Sequence, residues 1–274
     1  MFTFEYKNSI GSLSILGDGS GAWNATDVEG LGLVDKNVTA VTFSGEHGRL
    51  TTDAVLKERT ITIAGDIISN DLTTEISRAV SILSREGDIV VNGKYLIHCE
   101  SVSFPDPKRT GNIAKFTIQF VCDQPYFGET DEICVPVLNV NDHLVEEFIL
   151  PMAFSTITTY GHVNVKGELE TAPIIIITNL GDVVHDNITI LNKSTEKSIS
   201  LNYFPEKYEM VEIDIDKRSV KSSVAGNLLH YLSSETRLSE FYFRCGENMI
   251  CLENNFDNVN VTVKYRNKYA SAIY

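Results

Sequence analysis

Residues 259–266 read Val-Asn-Val-Thr-Val-Lys-Tyr-Arg, and this stretch indicates the class of the fold. Its odd-numbered positions are apolar and its even-numbered positions are polar. A period of two is typical of a half-buried antiparallel strand, with one face in the core and one in solvent. Short alternating runs separated by Gly, Asn and Pro recur upstream, so the sequence predicts a mainly β protein.

Length, composition and charge narrow the classes of function. The chain has 274 residues, a hydrophobic fraction of 43% and a formal net charge of −14. This length suits one large domain or two of ordinary size, at about 100–200 residues each. No apolar run approaches the ~18 residues that a membrane span needs, and Met1–Tyr6 resembles an amphipathic strand rather than a secretory signal. The negative charge disfavours nucleic-acid binding, which depends on cations that neutralise phosphates.

The cysteines form no pattern that indicates zinc or a catalytic nucleophile. There are five of them, an odd number, and no two share a Cys-x-x-Cys spacing. Structural zinc sites need paired ligands at short spacing, so we expect free thiols in a protein made in a reducing cytosol. The cysteines are Cys99, Cys122, Cys134, Cys245 and Cys251.

One segment of the first half has a helical rather than a strand period. Its apolar residues recur at i, i+4, i+7, i+8 and i+11, which is the stripe of an amphipathic helix. We expect a helix near Asp71–Glu86, with Asn70 or Asp71 as its N-cap and Gly87 ending it in the left-handed conformation. The stripe consists of Leu72, Ile76, Ala79, Val80 and Leu83, with Ile76, Val80 and Leu83 facing a sheet.

Turn residues divide the rest of the first half. Asn92-Gly93 lies between Asp88–Val91 and Lys94–His98, and this dipeptide is a strong signal for a two-residue hairpin turn. Phe104–Gly111 contains two prolines and is expected to be an exposed loop. Alternation resumes at Phe116–Cys122 and ends before Pro125. The further strands expected in this half are Phe2–Tyr6, Val38–Phe43 and Arg59–Ala64.

An acidic and proline-containing segment separates the two halves. Glu129–Glu132 is mostly acidic, and Pro136 and Pro151 bracket an irregular mixture of polar and apolar residues. Such composition is typical of a linker, so we place a domain boundary near residues 130–145. The second half then reads as strand after strand, which suggests a β-sandwich. The expected strands are Ile174–Ile177, Ile188–Leu191, Ser198–Asn202, Val211–Ile215, Phe241–Arg244 and Met249–Leu252, with a turn at Gly246–Asn248.

No set of residues in the sequence predicts catalysis. Asp214-Ile215-Asp216 resembles a metal-binding Asp-x-Asp, but inside an alternating strand both carboxylates would simply share the solvent face. His98 and Cys99 are adjacent on a strand and therefore point to opposite faces, whereas a nucleophile and its base must meet within hydrogen-bond reach. Nucleotide-binding and serine-hydrolase motifs are absent. We therefore expect no catalytic residues, no cofactor and no metal site, and hence no enzyme.

Several stretches, taken in order, resemble the distal tail protein family of long-tailed bacteriophages, prophages and related tail-like bacteriocins. Phe116–Phe127 resembles the end of that family's first domain, where an alternating strand runs into a Pro-Tyr-Phe turn. Glu168–Thr178 resembles the start of its second domain. Three further segments resemble the closing strands of that second domain: Glu212–Lys217, Phe243–Ile250 and Val261–Tyr269.

The resemblance implies a structural role at the tip of a tail. It implies a first domain, residues 1–135, that is a tail-tube-like β-sandwich or barrel with one amphipathic helix and that forms a homo-hexameric ring. It implies a second domain, residues 136–274, that is an outer galectin-like or carbohydrate-binding-module-like β-sandwich. The implied partners are the tail tube protein, the tail-associated lysin or spike protein, the tape-measure protein and, in some members, receptor-binding proteins. DNA would pass through the ring without specific binding, and the protein would be made in the bacterial cytoplasm and reside at the virion tail tip.

A soluble carbohydrate-binding protein that acts through the second domain is the alternative. Sugar sites usually combine an aromatic platform with polar side chains. The only tryptophan, Trp23, lies in the first domain. The second domain offers Tyr203, Phe204, Tyr208 and Tyr231, of which the first two are expected at a sheet edge or in the core.

Overall fold

The structure is a computed structural model that describes residues 2–45, 47–139, 159–181, 187–253 and 259–273. The chain divides into two compact units, Met1–Asp131 together with Lys268–Tyr274, and Glu132–Asn267. The sequence had suggested a division at 135/136 that left residues 268–274 with the second domain. The structure groups them with the first unit, because Lys268 and Tyr269 pair with Phe127 and Gly128.

Strands dominate the first unit, as the alternating patterns predicted. They are β1 (Thr3–Lys7), β2 (Ser12–Leu16), β3 (Trp23–Glu29), β4 (Lys36–Val41), β5 (Leu50–Leu56), β6 (Arg59–Ile68), β7 (Gly87–Val91), β8 (Tyr95–Ser103), β9 (Lys108–Thr110), β10 (Ile113–Cys122) and β11 (Phe127–Glu129), with β22 (Lys268–Tyr269) at the end of the chain. One helix, α1 (Leu72–Leu83), lies between β6 and β7.

Seven of these strands close into a barrel. The order is β8-β7-β1-β2-β3-β6-β10, and β10 returns to pair with β8. Alternate residues point inward, as in β10, where every second side chain from Ala114 to Cys122 is buried. The interior is a single apolar cluster that includes Phe4, Trp23, Ile63 and Phe120. Each of the seven strands has a neighbour on both sides, although β2 and β3 are joined only by the pair Leu16 and Asn24, and this closure limits the edge that is open to strand addition.

The helix confirms the predicted amphipathic stripe, with one residue misplaced. Asp71 is the N-cap, and its side chain accepts a hydrogen bond from the Thr74 N–H at 3.1 Å. The buried residues are Leu72, Ile76, Ala79, Ile82 and Leu83. Val80, expected to face the sheet, is instead 50% exposed. At 3.6 residues per turn Val80 and Ile82 lie on opposite flanks of the line formed by Leu72, Ile76, Ala79 and Leu83, and the structure buries the flank of Ile82.

The helix also ends differently from the expectation. Ser84 is its C-cap and Gly87 is the first residue of β7 rather than a left-handed cap. Gly87 lies so close to β1 that an added Cβ would meet the Lys7 carbonyl oxygen at 2.6 Å. Glycine is needed at this position because it has no side chain and so lets the backbone of β1 approach closely.

The Asn92-Gly93 hairpin is confirmed. Both residues have positive φ, 54° and 67°, as a type I′ turn requires, and β7 pairs with β8 across it. The expectation of a loop throughout Phe104–Gly111 is wrong in part. Lys108–Thr110 forms the short strand β9 on β10, because the two prolines, which lack N–H donors, precede it and leave these three residues free to pair.

The second unit is also made of strands. They are β12 (Ile133–Asn139), β13 (Thr159–Val165), β14 (Ile174–Asn179), β15 (Ile188–Asn192), β16 (Lys197–Leu201), β17 (Met210–Asp214), β18 (Ser219–Ser222), β19 (Gly226–Asn227), β20 (Gly246–Leu252) and β21 (Val259–Tyr265). Two short 3₁₀ helices occupy Leu229–Tyr231 and Leu238–Glu240.

These strands form two halves joined through β12. One half has the order β16-β15-β20-β13-β12 and the other β12-β21-β14-β17-β18-β19. Side chains from both halves form one buried cluster, for example Val163 and Ile250 from the first and Ile175 and Val263 from the second. A core shared by two sheets is the signature of a β-sandwich, so the predicted mainly β fold is confirmed. The apolar run at Ile174 is a central strand, between β21 and β17.

Two expectations in the second half need correction. Phe241–Arg244 is not a strand, since only Phe243 forms a bridge there, to Thr171. Gly246–Asn248, expected to be a turn, instead opens strand β20. Phe241 and Phe243 are both fully buried in the core, so their alternation reflects burial by packing rather than strand pairing.

The expected linker is also partly a strand. Ile133–Asn139 is β12, which pairs with β21 despite Pro136. The rest of the predicted seam, residues 140–151, lies outside the described residues.

Candidate assembly surfaces

The most conspicuous surface of the first unit is a two-stranded hairpin, residues 36–56, which we call the arm. Its strands β4 and β5 pair with each other and with no other described strand. A backbone hydrogen bond from Lys57 N–H to the Asp35 carbonyl, 3.0 Å long, closes its base. The arm therefore extends from the barrel as a separate ribbon.

The arm exposes more apolar surface than a free ribbon tolerates. The side chains of Val38, Val41, Phe43, Leu50 and Val55 are each more than two-fifths exposed. In the pairing register Val38 lies opposite Ala54 on one face, and Val41 lies opposite Leu50 on the other. A lone two-stranded hairpin is at best marginally stable in water, and clustered exposed apolar side chains mark interaction surfaces. The arm therefore has the character of a surface that another chain covers.

A second feature of the first unit is the buried cation Arg59, which is 1% exposed. Within the described residues its guanidinium donates to backbone carbonyl oxygens rather than to a carboxylate. Nε and Nη2 reach Pro125 O at 2.9 and 2.6 Å, Nη2 also reaches Ala270 O at 2.7 Å, and Nη1 reaches Gly32 O at 2.8 Å as well as Gly30 O.

The carbonyl dipoles compensate for much of the cost of burying this charge. Burial lowers the pKa of Arg59 to about 10, so the group stays protonated at neutral pH. The ring of Phe127 lies against the guanidinium, 4.4 Å from ring centroid to Cζ. Arg59 thereby ties together the loop at residues 30–32, the turn at Pro125 and the C-terminal segment.

Sequence reasoning missed Arg59 as a structural residue, although a signal was present. Arg59 shares its strand parity with Ile61 and Ile63, which both point into the core. A charged residue at an inward position of an alternating strand predicts a buried, fully satisfied group. Its partners could not be predicted, because they come from three distant parts of the chain.

The aromatic residues considered for sugar binding divide into different environments. Trp23 is 2% exposed in the barrel core, with its ring 4.9 Å from that of Phe116, so it offers no platform. Tyr203 is half-buried and donates its hydroxyl to Glu209 at 2.8 Å. Phe204 and Tyr208 are exposed, at 49% and 70%.

Glu209 organises the loop that carries these aromatics. It is 1% exposed and accepts hydrogen bonds from Tyr203, from the Glu206 N–H at 2.6 Å and from the Ser222 hydroxyl. Tyr231 packs on Tyr203 with ring centroids 5.2 Å apart. Glu209 thus fixes the loop, which exposes Phe204 and Tyr208, and the partly exposed Tyr231 packs on it from the 3₁₀ helix Leu229–Tyr231.

The acidic pair Asp214 and Asp216 does not share a solvent face. Asp214 is buried at the end of β17, where it accepts the Lys217 N–H at 2.9 Å and faces the Lys217 ammonium at 3.3 Å. Asp216 is exposed in the following turn. The strand ends at Asp214, so the alternation stops there and Asp214 acts as a turn-forming residue.

His98 and Cys99 lie on opposite faces of β8, as adjacent strand residues must. His98 is exposed and its Nδ1 lies 2.8 Å from Asp88, whereas Cys99 is buried in the barrel. Within the described residues no three His, Cys, Asp or Glu side chains form a group able to hold a metal ion. None of the described helices is long and apolar enough to cross a membrane.

Comparison with known proteins agrees with the resemblance found in the sequence. Residues 166–269 match the family described as "Siphovirus-type tail component, C-terminal domain". No curated protein matches the chain. The family match confirms this resemblance over residues 166–269, and the structural similarity that follows shows that the fold of nearly the whole chain is shared.

Three solved structures share the fold. The Dit protein of phage SPP1, described as a paradigm of the hub adsorption apparatus in phages that infect Gram-positive bacteria, has a TM-score of 0.69 at 13% identity, over 98% of this chain and 99% of that one. A chain of the phage P2 baseplate in its activated conformation with Ca has a TM-score of 0.55 at 9% identity, over 96% and 98%. The p2 baseplate with Sr gives 0.51 at 11% identity, over 96% and 98%.

Proposed function

We propose, on the premise that residues 166–269 form the C-terminal domain of the siphovirus-type tail component family, that this protein is a structural subunit of a phage tail baseplate. The likeness of nearly the whole chain to the SPP1 hub protein supports the same architecture for both units. The role is mechanical rather than catalytic: the protein joins the tail tube to the components below it.

The first unit forms a homo-hexameric ring. The observation that carries this step is the arm, whose exposed apolar side chains lie on both faces of a ribbon that pairs with no other described strand. A ring of identical head-to-tail contacts gives every arm the same neighbour and leaves none uncovered. The closed barrel suits such a subunit, because its own strands do not compete for strand pairing.

The charge of the chain suits a ring around a DNA channel. The formal net charge is −14, and an acidic lumen repels phosphates and lets DNA slide without binding. The family resemblance further supports the partners of the ring. It stacks on the tail tube protein at one face and on the tail-associated lysin or spike protein at the other, and it meets the end of the tape-measure protein. The second unit lies outside the ring, where receptor-binding proteins attach. Synthesis is in the bacterial cytoplasm and the final location is the virion tail tip.

Mass photometry and negative-stain microscopy of the full chain test the ring. We expect assemblies of six copies with a central channel. The double variant Val38→Asp/Val55→Asp places charges on the arm and should shift the protein to monomers. Val224→Asp is the control, because Val224 is exposed at least as much, 65% against 43% for Val38 and 56% for Val55, but lies in the second unit. Arm and control variants with the same distribution of assemblies would contradict the role of the arm.

Carbohydrate binding by the second unit is a second candidate, favoured by the exposed rings of Phe204 and Tyr208 on a loop fixed by Glu209. Binding of bacterial cell-wall polysaccharide by residues 132–267 is measurable by co-sedimentation. Co-sedimentation of the unsubstituted polypeptide that is lost in Tyr208→Ala would support carbohydrate binding. Failure of the unsubstituted polypeptide to co-sediment would contradict it.

A further inference from the structure

The barrel is closed by a short and irregular pairing between β8 and β10. Three residue pairs define it: Gln119 opposite Ser103, Phe120 opposite Ser101 and Val121 opposite Glu100, with a shift of register after Gln119. For comparison, β10 pairs with β6 over ten residues without a shift. The β8–β10 seam is therefore one of the two least extensively paired lines of the barrel wall, the other being the single β2–β3 pair of Leu16 and Asn24.

Two cysteines face each other at the end of this seam. Continuing the register one step beyond Val121 and Glu100 sets Cys122 opposite Cys99. Both side chains point into the barrel, with exposures of 2% for Cys99 and 0% for Cys122. The neighbouring Cys122 thiol, followed by burial, raises the pKa of Cys99.

This placement meets the geometric requirement of a disulfide. Directly opposite residues of an antiparallel pair have Cα atoms about 4.5 or 5.5 Å apart, and disulfides span Cα separations of about 4.4–6.8 Å. Both side chains are buried on the inner face of the barrel, and the Cys122 thiol is close enough to Cys99 to raise its pKa. The other cysteines lack such a partner: Cys134 and Cys245 are exposed and lie in the second unit, as does buried Cys251.

We propose that Cys99 and Cys122 are a redox-active pair whose oxidation to a disulfide closes the barrel covalently across the β8–β10 seam. In the reducing cytosol both stay thiols, and the bond forms once the folded protein meets an oxidising medium. The inference does not depend on the ring, since the bond joins two residues of one chain.

The oxidant is a low-molecular-weight disulfide, RSSR. One cysteine, as its thiolate, attacks RSSR to give a protein mixed disulfide and releases RS⁻. The second cysteine then attacks the protein sulfur of that mixed disulfide and releases the second RS⁻. In total two protein thiols lose two protons and two electrons, one protein S–S bond forms, and RSSR is reduced to two RSH.

Burial sets the rate of this reaction. The reagent reaches the thiols only when the seam opens locally, and the raised pKa of Cys99 keeps its thiolate scarce at neutral pH. Oxidation should therefore be slow at neutral pH and faster at mildly alkaline pH. Once formed, the bond is shielded by the same burial and should need strong reductant and local opening to break.

Peptide mapping of the full chain tests the proposal. The purified protein is incubated with oxidised glutathione at about pH 8.5, near the ordinary pKa of a thiol, then denatured, alkylated and digested without reductant. We expect one disulfide-linked peptide pair that contains Cys99 and Cys122. The melting temperature should rise on oxidation and return after dithiothreitol.

Variants separate this bond from other thiol chemistry. Cys134→Ser/Cys245→Ser lacks both exposed thiols and should show the same linked peptides and the same rise in melting temperature. Cys122→Ser should show neither. If Cys122→Ser does not fold, the wild-type peptide map decides alone. The proposal would be overturned if Cys134 and Cys245 carried glutathione while Cys99 and Cys122 were recovered as alkylated thiols. It would also be overturned if Cys99 and Cys122 each carried a separate glutathione adduct.

Discussion

The guanidinium of Arg59 donates a hydrogen bond to the carbonyl oxygen of Ala270 at 2.7 Å, across 211 residues of sequence. The bond joins the first residue of β6 to the segment that follows β22. Around it, Ala272 is fully buried and its N–H donates to Leu31 O at 2.9 Å. The first unit is thus built from two pieces of chain, with the second unit between them in sequence.

Replacing Arg59 by Met should destabilise the first unit strongly. The carbonyl oxygens of Gly30, Gly32, Pro125 and Ala270, which accept at partly buried positions, would lose the guanidinium as a donor. A fully buried acceptor left unsatisfied costs about 1–3 kcal/mol, so each of these should cost up to that amount. Denaturant unfolding of Arg59→Met measures the loss. Arg78→Met is the control, because Arg78 is exposed and donates to the Ser12 carbonyl only, at 3.2 Å. A free energy of unfolding that neither variant changes would contradict this structural role of Arg59.

A polypeptide that stops at residue 135 should fold poorly, although the domain division suggested by the sequence made it a complete unit. It lacks β22, which covers β11, and Tyr269, whose ring lies 5.2 Å from that of Tyr95. Joining residue 131 to residue 268 by a short flexible linker should restore folding, since Gly128 lies opposite Lys268. Amide hydrogen exchange of the two polypeptides distinguishes them. Equal protection of the barrel strands in both would show that the C-terminal segment is dispensable.

The two faces of α1 should respond differently to truncation. Ile82→Ala removes a side chain that is 3% exposed and should cost about 2–5 kcal/mol of stability. Val80→Ala, on the same helix but 50% exposed, should stay within about 0.5 kcal/mol of the wild type. Thermal unfolding of both proteins measures the contrast. A larger loss for Val80→Ala would mean that the helix packs on its other face.

Alkaline pH should destabilise the first unit through Tyr6. Burial, followed by the effect of nearby Cys99, raises the pKa of Tyr6 to about 12, whereas an unfolded Tyr titrates near 10. Between about pH 10 and 12 the unfolded chain has released a proton that the folded chain retains, so stability falls as the pH rises. The stabilising contribution is complete below about pH 10 and lost above about pH 12.

Urea unfolding of Tyr6→Phe measures this effect. The variant cannot ionise at this position, so its stability should fall less steeply than that of the wild type in the same pH range. Tyr203→Phe provides the equivalent comparison in the second unit, because burial also raises the pKa of Tyr203 to about 12. Parallel pH profiles for the wild type and both variants would contradict the assignment.

Local patterns predicted the elements whose cause is local. The strand at Val259–Tyr265, the hairpin turn at Asn92-Gly93 and the cap at Asp71 follow from side-chain alternation, positive φ and N-terminal hydrogen bonding, which neighbouring residues determine. The amphipathic stripe of α1 was also visible, although Val80 and Ile82 exchange roles. An apolar stripe in the sequence predicts that a helix has a buried face, but it predicts less well which residues lie at the edges of that face.

What could not be predicted depends on distant parts of the chain. Gly87 owes its position to the approach of β1, Phe243 is buried without belonging to a strand, and the partners of Arg59 come from residues near 30, 125 and 270. No local pattern encodes such pairings. The arm was predicted only as a strand near Val38–Phe43, because the absence of a partner strand becomes visible only in three dimensions.

The central claim is that this protein is a structural subunit at the distal end of a phage tail. Immunogold labelling of intact tailed particles that contain the protein tests it most directly, with an antibody against the second unit and particles lacking the protein as the control. If the protein is a tail-tip subunit, we expect label confined to the tip of the tail, at the end away from the head. Label along the whole shaft or on the capsid would contradict it.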